Sequence, residues 1–217
     1  MVFNNATVYI VDDEKEIRDL LARLAHSLGY RTESLGDAES LLAILELERA
    51  GCIVLDLWLP GKNGLELQRE LVARGSTLPI IMTSGYADVS IAVEAMKAGV
   101  YDFIEKPFSF QRMTEAIRGA VTRDQVMRET RRLAQEIRGR VAALSKRELE
   151  VLQLVAAGLG SSEIAVRLGI QTKTVEVHRS HIIGKMDARN TADLVRMYLY
   201  VRDEFEKENA EIVREIA

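Results

Sequence analysis

Five short apolar runs, ATVYIV, YRTESL, CIVLDL, LPIIMTS and YDFIEKP, alternate with segments of helical period in the first half of the chain. This alternation limits the fold more than any other feature. Parallel strands need long crossovers, and helical crossovers cover both faces of the sheet they join, so the pattern predicts a doubly wound α/β domain. Its helices are expected to begin near Glu14, Asp37, Leu65 and Asp88. Five such strands in about 120 residues complete a small domain. No comparable strand pattern follows Phe110, so the remainder reads as a second, all-α domain.

Composition agrees with two small globular units. The 217 residues are 47% hydrophobic and 29% charged, too apolar for a disordered chain. One cysteine excludes an internal disulfide framework and fits a reducing compartment. The opening MVFNNATVYIVDD has neither a basic leader nor a long apolar run, so a cytoplasmic protein with no membrane association is expected. The net charge of −4 conceals an asymmetry. Up to Thr122 there are 12 Lys plus Arg against 18 Asp plus Glu, a balance of −6. From Val141 to Arg202 nine basic residues face six acidic ones, a balance of +3, the sign a phosphate-backbone binder needs.

Between the halves, Val126, Thr130, Leu133, Ile137, Val141 and Leu144 recur at spacings of three and four and could line one helix face. Two readings stand: a rigid helical connector with a coiled-coil-like dimer contact, or a final domain helix that runs into a solvated tether. Gly119 and Gly139 weaken continuity.

The chemistry collects at the strand ends. Asp12 and Asp13 follow the first run, Asp56 ends the third, Thr83 and Ser84 end the fourth, and Lys106 and Pro107 follow the fifth. Sites in parallel α/β sheets form beyond the carboxyl ends of the strands, so these groups are expected to converge. Three clustered carboxylates repel unless a cation joins them, and hard oxygen ligands suit Mg²⁺. The set supplies the parts for phosphoryl transfer: Asp56 as an already ionised nucleophile, Asp12 and Asp13 as metal holders, Thr83 as hydroxyl donor and Lys106 as cationic clamp. A single acid at a strand end is ordinarily a helix cap; five such groups together are not.

These pieces, IVDDEKEIR, VLDLWLPGKNGLEL, MTSGYAD and YDFIEKPF, resemble the receiver domain of two-component response regulators over about residues 5–122. The resemblance implies a CheY-like, flavodoxin-like five-stranded sheet. It implies that Asp56 accepts phosphate from the histidine of a cognate sensor kinase. Mg²⁺ would be held by Asp12, Asp13, Asp56 and the Trp58 main-chain carbonyl, and the Lys106–Pro107 bond would be cis. Thr83 and Tyr101 would carry the switch; the competing reading of Tyr101 is a core tyrosine. The surface that includes the helix from Asp88 to Ala98 would form the activated dimer. Trp58, two residues beyond Asp56, is bulky for the mouth of such a site and bears on water access or simply covers apolar surface.

In the second half, Ser145 to Glu148 reads as a capping box before Leu149, Leu152 and Val155, with Gly158 as the stop. SSEIAVRLG implies a short helix from Ser161 or Ser162 to Gly169. A third helix begins at Thr172 or Lys173, and a last one starts around Asn190. Two helices joined by a tight turn suit a helix-turn-helix, although a helical dimerisation module would show the same glycine turns. Lys173, Arg179 and Lys185 could meet phosphates, and His178 could bond the backbone of DNA or be a packed structural histidine. With no cysteine near His178 and His181, no metal is predicted here.

The segment LSKRELEVLQLVAAGLGSSEIAVRLGIQTKTVEVHRSHIIGKM resembles the DNA-binding domain of the LuxR and NarL class, FixJ subgroup, over about residues 141–205. That implies a four-helix domain binding double-stranded promoter DNA as a homodimer when phosphorylated, with RNA polymerase as a further partner. Thr174, Glu176, Val177 and Ser180 would face base edges, with Lys173, Arg179 and Lys185 nearer phosphate. Several relatives carry lysine where Glu176 and Ser180 stand, so their operator rules do not transfer. The expected organisation is a receiver over 1–122, a helical linker over 123–140, the DNA-binding domain over 141–205 and an acidic helical extension or tail over 206–217. The expected function is a transcription activator, not an enzyme. The alternatives are a phosphorylation-independent DNA-binding dimer and an aspartyl-phosphate phosphohydrolase.

Overall fold

The computed structural model describes residues 6–46, 48–85 and 89–202. The chain divides into two compact units that meet at Glu129 and Thr130. The first holds a five-stranded, wholly parallel sheet: β1 (Thr7–Val11), β2 (Arg31–Leu35), β3 (Gly51–Asp56), β4 (Ile80–Ser84) and β5 (Asp102–Glu105), in the order β2-β1-β3-β4-β5. Crossovers α1 (Lys15–Ser27), α2 (Ala38–Ile44), α3 (Gly64–Ala73) and α4 (Val89–Lys97) join consecutive strands, and α5 (Phe110–Ala142) follows β5. The expected start of the fourth helix at Asp88 lies outside the described residues.

Strand alternation builds two cores. Val8, Ile10, Val54 and Ile81 face α1 and α5, where Leu21, Ala25, Met113, Ile117 and Ala120 are buried against them. Tyr9, Val11, Ile53, Leu55 and Met82 face the opposite way, toward Leu41 of α2, Leu67 and Leu71 of α3 and Ala95 of α4. Burial on both faces is why the central strands read as continuous apolar runs. At the base of β3 the backbone of Thr7 lies so close that any Cβ on Gly51 would overlap its carbonyl, and the Gly51 N–H donates to buried Asp124 of α5 at 2.9 Å.

Helix starts follow their caps. The Asp37 carboxylate accepts from the Ser40 N–H, and Asn63 with Glu66 forms a full capping box. Helix α5 runs unbroken for 33 residues through both glycines. Gly119 has a packing reason: a Cβ there would overlap the Tyr101 hydroxyl. The apolar stripe along α5 does not act as one seam. Val126 and Leu133 are 59% and 45% exposed, whereas Ile137 and Val141 are buried in the core of the second unit.

That second unit is helical. It comprises the end of α5, α6 (Lys146–Ala156), α7 (Ser161–Leu168), α8 (Thr172–Met186) and a last helix, α9, seen over residues 191–202. Val151, Leu152, Ile164, Val175, Ile182, Leu194 and Tyr198 form its core. Ser145 and Glu148 make the capping box reciprocally, and Asn190 accepts from the Asp193 N–H at the start of α9. Gly169 ends α7 at φ 65°, the left-handed conformation that turns the chain into α8. The expected extension over 206–217 lies outside the described residues.

Candidate functional site

β1 and β3 lie side by side, so their carboxyl ends bring Asp12 and Asp13 beside Asp56. One oxygen from each of the three carboxylates lies within 4.8 Å of the others. Register sets Thr83 of β4 directly across from Asp56, and its hydroxyl donates to the Leu55 carbonyl at 3.4 Å. Lys106, beyond β5, reaches over to place Nζ 2.7 Å from Asp12 Oδ2 and 3.2 Å from Asp56 Oδ2. Its peptide bond to Pro107 is cis.

Asp56 is 5% exposed. Burial pushes its carboxyl above the ordinary aspartate value, neighbouring Asp12 adds to the rise, and Lys106 and a hydrogen bond from the Trp58 backbone N–H oppose it. Burial would lower the Lys106 ammonium, but its bonds to Asp12 and Asp56 outweigh that and hold it above the ordinary lysine value. Asp56 Oδ1 is buried and has no hydrogen-bond partner, although its sister oxygen meets Lys106. A buried anionic oxygen without a donor fits a site built to receive a cation, and hard oxygen donors such as these three carboxylates are what Mg²⁺ takes. Trp58 is 53% exposed beside this mouth.

Tyr101 is not brought to this cluster. It precedes β5, its hydroxyl lies against Gly119 of α5, and the Arg123 guanidinium sits 5.6 Å above its ring. Phe103, which sequence reasoning passed over, is the aromatic on the other side. With Val93, Met96 and Lys97 it lines an open hollow of about 620 Å³ between α4 and β5. The alternation of β5 carried that signal, since Phe103 lies inside the strand and Tyr101 outside it.

In the helical unit, Lys173, Thr174, Glu176, Val177 and Ser180 share the exposed surface of α8, while Val175 and Ile182 face the core. His178 is half-buried. Arg179 is tied internally: its guanidinium donates to Ser161 Oγ at 3.0 Å and Thr191 Oγ1 at 3.2 Å, linking the starts of α7 and α9 to the middle of α8. The Lys185 ammonium lies 2.7 Å from Glu148, whose buried carboxylate is pushed down to about 2 by that lysine and by bonds from Ser145. Both basic residues therefore have partners within the fold.

A parallel receiver sheet with an acidic, lysine-clamped pocket, followed by a helix-turn-helix, defines a two-domain signalling regulator. Comparison with known proteins agrees. Residues 8–118 match the response regulator receiver domain family, and residues 142–198 match the family of bacterial regulatory proteins of the luxR type. The chain belongs to the receiver-plus-LuxR response regulators, within the FixJ-like subfamily. It is 42% identical over 193 residues to the transcriptional regulatory protein FixJ of Azorhizobium caulinodans, covering 88% of this chain and 91% of that one. FixJ of Bradyrhizobium diazoefficiens is 38% identical over 190 residues, covering 88% and 93%. The solved response regulator StyR superposes with a TM-score of 0.81 at 36% identity, covering 89% of this chain and 98% of that one. The chain is thus a phosphorylation-regulated, DNA-binding transcriptional regulator rather than a catalytic enzyme, which removes the phosphohydrolase reading. Among the described residues no helix is long and apolar enough to cross a membrane.

Proposed function

We propose that Asp56 is the phosphoacceptor, that a cognate sensor histidine kinase supplies the phosphoryl group, and that the phosphorylated chain dimerises on promoter DNA to activate transcription. The observation that carries this reading is the buried Asp56 carboxylate at the end of β3, flanked by Asp12 and Asp13 and clamped by Lys106, with one oxygen left unpartnered.

Asp12, Asp13, Asp56 and the Trp58 carbonyl would hold Mg²⁺, which when bound offsets the carboxylate repulsion and the charge of the incoming phosphoryl oxygens. The residues of the chain do the rest. Asp56 attacks phosphorus as a carboxylate and needs no general base; as its P–O bond forms, the P–N bond to the kinase histidine breaks and the imidazole leaves with that electron pair. Lys106 shifts from sharing Asp12 and Asp56 toward the new phosphoryl charge, and the Thr83 hydroxyl leaves the Leu55 carbonyl to donate to it. Thr83 lies on β4 next to β5, so its movement bears on Phe103 and the α4–β5 hollow, which favours Phe103 over Tyr101 as the aromatic that reports the switch.

The receiver role falls to about residues 1–122 and DNA reading to about 141–205; the stretch 123–140 between them is shared by the two compact units, with Asp124 bonded to Gly51 in the first and Ala134 and Ile137 in the core of the second. Joining two weak DNA-binding modules by receiver dimerisation raises the local concentration of the second after the first has bound. Thr174, Glu176, Val177 and Ser180 read base edges and Lys173 meets phosphate, with RNA polymerase the partner recruited at the promoter. Mass analysis of the protein incubated with an acyl phosphate and Mg²⁺ tests the assignment. One phosphoryl group per chain is expected on Asp56 and none on Asp56→Ala; retained phosphorylation in that variant would refute it.

A further inference from the structure

Resting on the Mg²⁺-site reading above, we propose that Arg18 of α1 is a positioning residue for that site. It sets the direction of the Asp13 carboxylate through the backbone and without touching the carboxylate itself. One guanidinium nitrogen of Arg18, Nη1, donates to two carbonyl oxygens at once: Asp12 O at 2.6 Å and Asp13 O at 2.8 Å. The guanidinium lies over Gly36, just beyond β2.

The carbonyl of residue 12 belongs to the peptide plane before Asp13, and that of residue 13 to the plane after it. Each plane is rigid, so holding both oxygens restrains φ and ψ of Asp13 and with them the direction of its Cα–Cβ bond. Asp12 has other restraints. Its carboxylate accepts from the Glu14 N–H at 3.0 Å and from Lys106, and its N–H bonds the Leu35 carbonyl. Asp13 is exposed, so packing does not hold its carboxylate among the three that converge within 4.8 Å. The Arg18 clamp restrains the backbone from which that carboxylate projects.

The sign of the effect separates positioning from charge. Arg18 is a cation near a cation site, so by Coulomb's law alone its removal would tighten Mg²⁺ binding. Loss of positioning weakens it. Trp58 is the sole tryptophan and stands two residues from Asp56, so its fluorescence reads Mg²⁺ binding directly.

The test is a Mg²⁺ titration of the full chain as wild type, Arg18→Met, Arg18→Lys and Arg23→Met, the last removing an exposed cation from the same helix. We expect Mg²⁺ affinity at least threefold weaker in Arg18→Met, part of that loss restored in Arg18→Lys, and no weakening in Arg23→Met. Phosphorylation of Arg18→Met by an acyl phosphate should be slow at low Mg²⁺ and recover at saturating Mg²⁺, because the nucleophile is untouched. Unchanged or tighter binding in Arg18→Met overturns the proposal. Should Arg18→Met not fold, Arg18→Lys decides: affinity equal to wild type then overturns it and weaker binding supports it. A wild-type protein with no Mg²⁺ response removes the site reading itself, and the Arg18 proposal with it.

Discussion

Replacing Lys106 with methionine removes the ammonium that bridges Asp12 and Asp56 while keeping most of the side-chain volume. The lysine side chain is 12% exposed and its partners 2% and 7%, so water offers little compensation. Two carboxylates with oxygens no more than 4.8 Å apart repel by roughly 3.5 kcal/mol or more at an effective dielectric of 20, and stranding buried charges by removing one partner costs about 3–5 kcal/mol. Proton uptake by Asp56, already raised by burial, relieves part of this. The expected net loss without Mg²⁺ is about 3 kcal/mol of receiver stability. Mg²⁺ and the Lys106 ammonium compete electrostatically for the same carboxylates, so the variant should bind it about tenfold more tightly, and saturation at about a hundredfold over Kd returns roughly 2.7 kcal/mol. Urea unfolding with and without Mg²⁺, followed by Trp58 fluorescence, measures both quantities. A variant as stable as wild type without Mg²⁺, or one that binds Mg²⁺ no more tightly, would refute the view that lysine and cation share these carboxylates.

Four substitutions test the helical unit. Glu148→Ala removes half of the α6 capping box and the partner of Lys185, and should cost about 2 kcal/mol in thermal unfolding of that unit. Because the Glu148 carboxyl is held at about 2, below its unfolded value, its contribution is complete above about pH 4.5 and fades as pH falls toward 2, and the variant should lose that part of the acid dependence. Arg179→Ala should lower stability by about 1–2 kcal/mol and weaken DNA binding on all sequences, because it unties α8 from Ser161 and Thr191; an unchanged melting temperature with a reduced salt slope would return Arg179 to a phosphate role. Val177→Ala should alter base preference in a selection on random DNA, whereas Lys173→Ala should weaken binding evenly and lower the salt slope by about one.

The α/β fold was legible because burial on both faces leaves runs such as CIVLDL without polar interruption, and because the crossover rule turns such runs into one topology. The site was legible for the same reason: residues far apart in sequence meet once the strands are parallel, so Asp12, Asp13, Asp56, Thr83 and Lys106 could be gathered from their strand-end positions. Tyr101 could not be oriented this way. β5 has only four residues and starts at Asp102, so parity assigns Phe103 to the α4 side and says nothing about a residue before the strand. Arg179 looked like a phosphate contact because it is basic and lies on α8, and its hydroxyl partners are 18 and 12 residues away, visible only after folding. Glycine propensity misjudged α5, where Gly119 leaves space that the Tyr101 hydroxyl occupies and the helix continues despite a cost of about 1 kcal/mol.

The central claim is that phosphate on Asp56 controls assembly and DNA occupancy. Wild-type protein with and without phosphorylation, and Asp56→Ala exposed to the same phosphodonor and Mg²⁺, should be compared for sedimentation behaviour and for occupancy of genomic fragments at fixed salt. The account predicts that only the phosphorylated wild type shifts to dimer and gains DNA affinity, by about tenfold or more as expected from linking two modules. Identical assembly and occupancy in all three samples would contradict it.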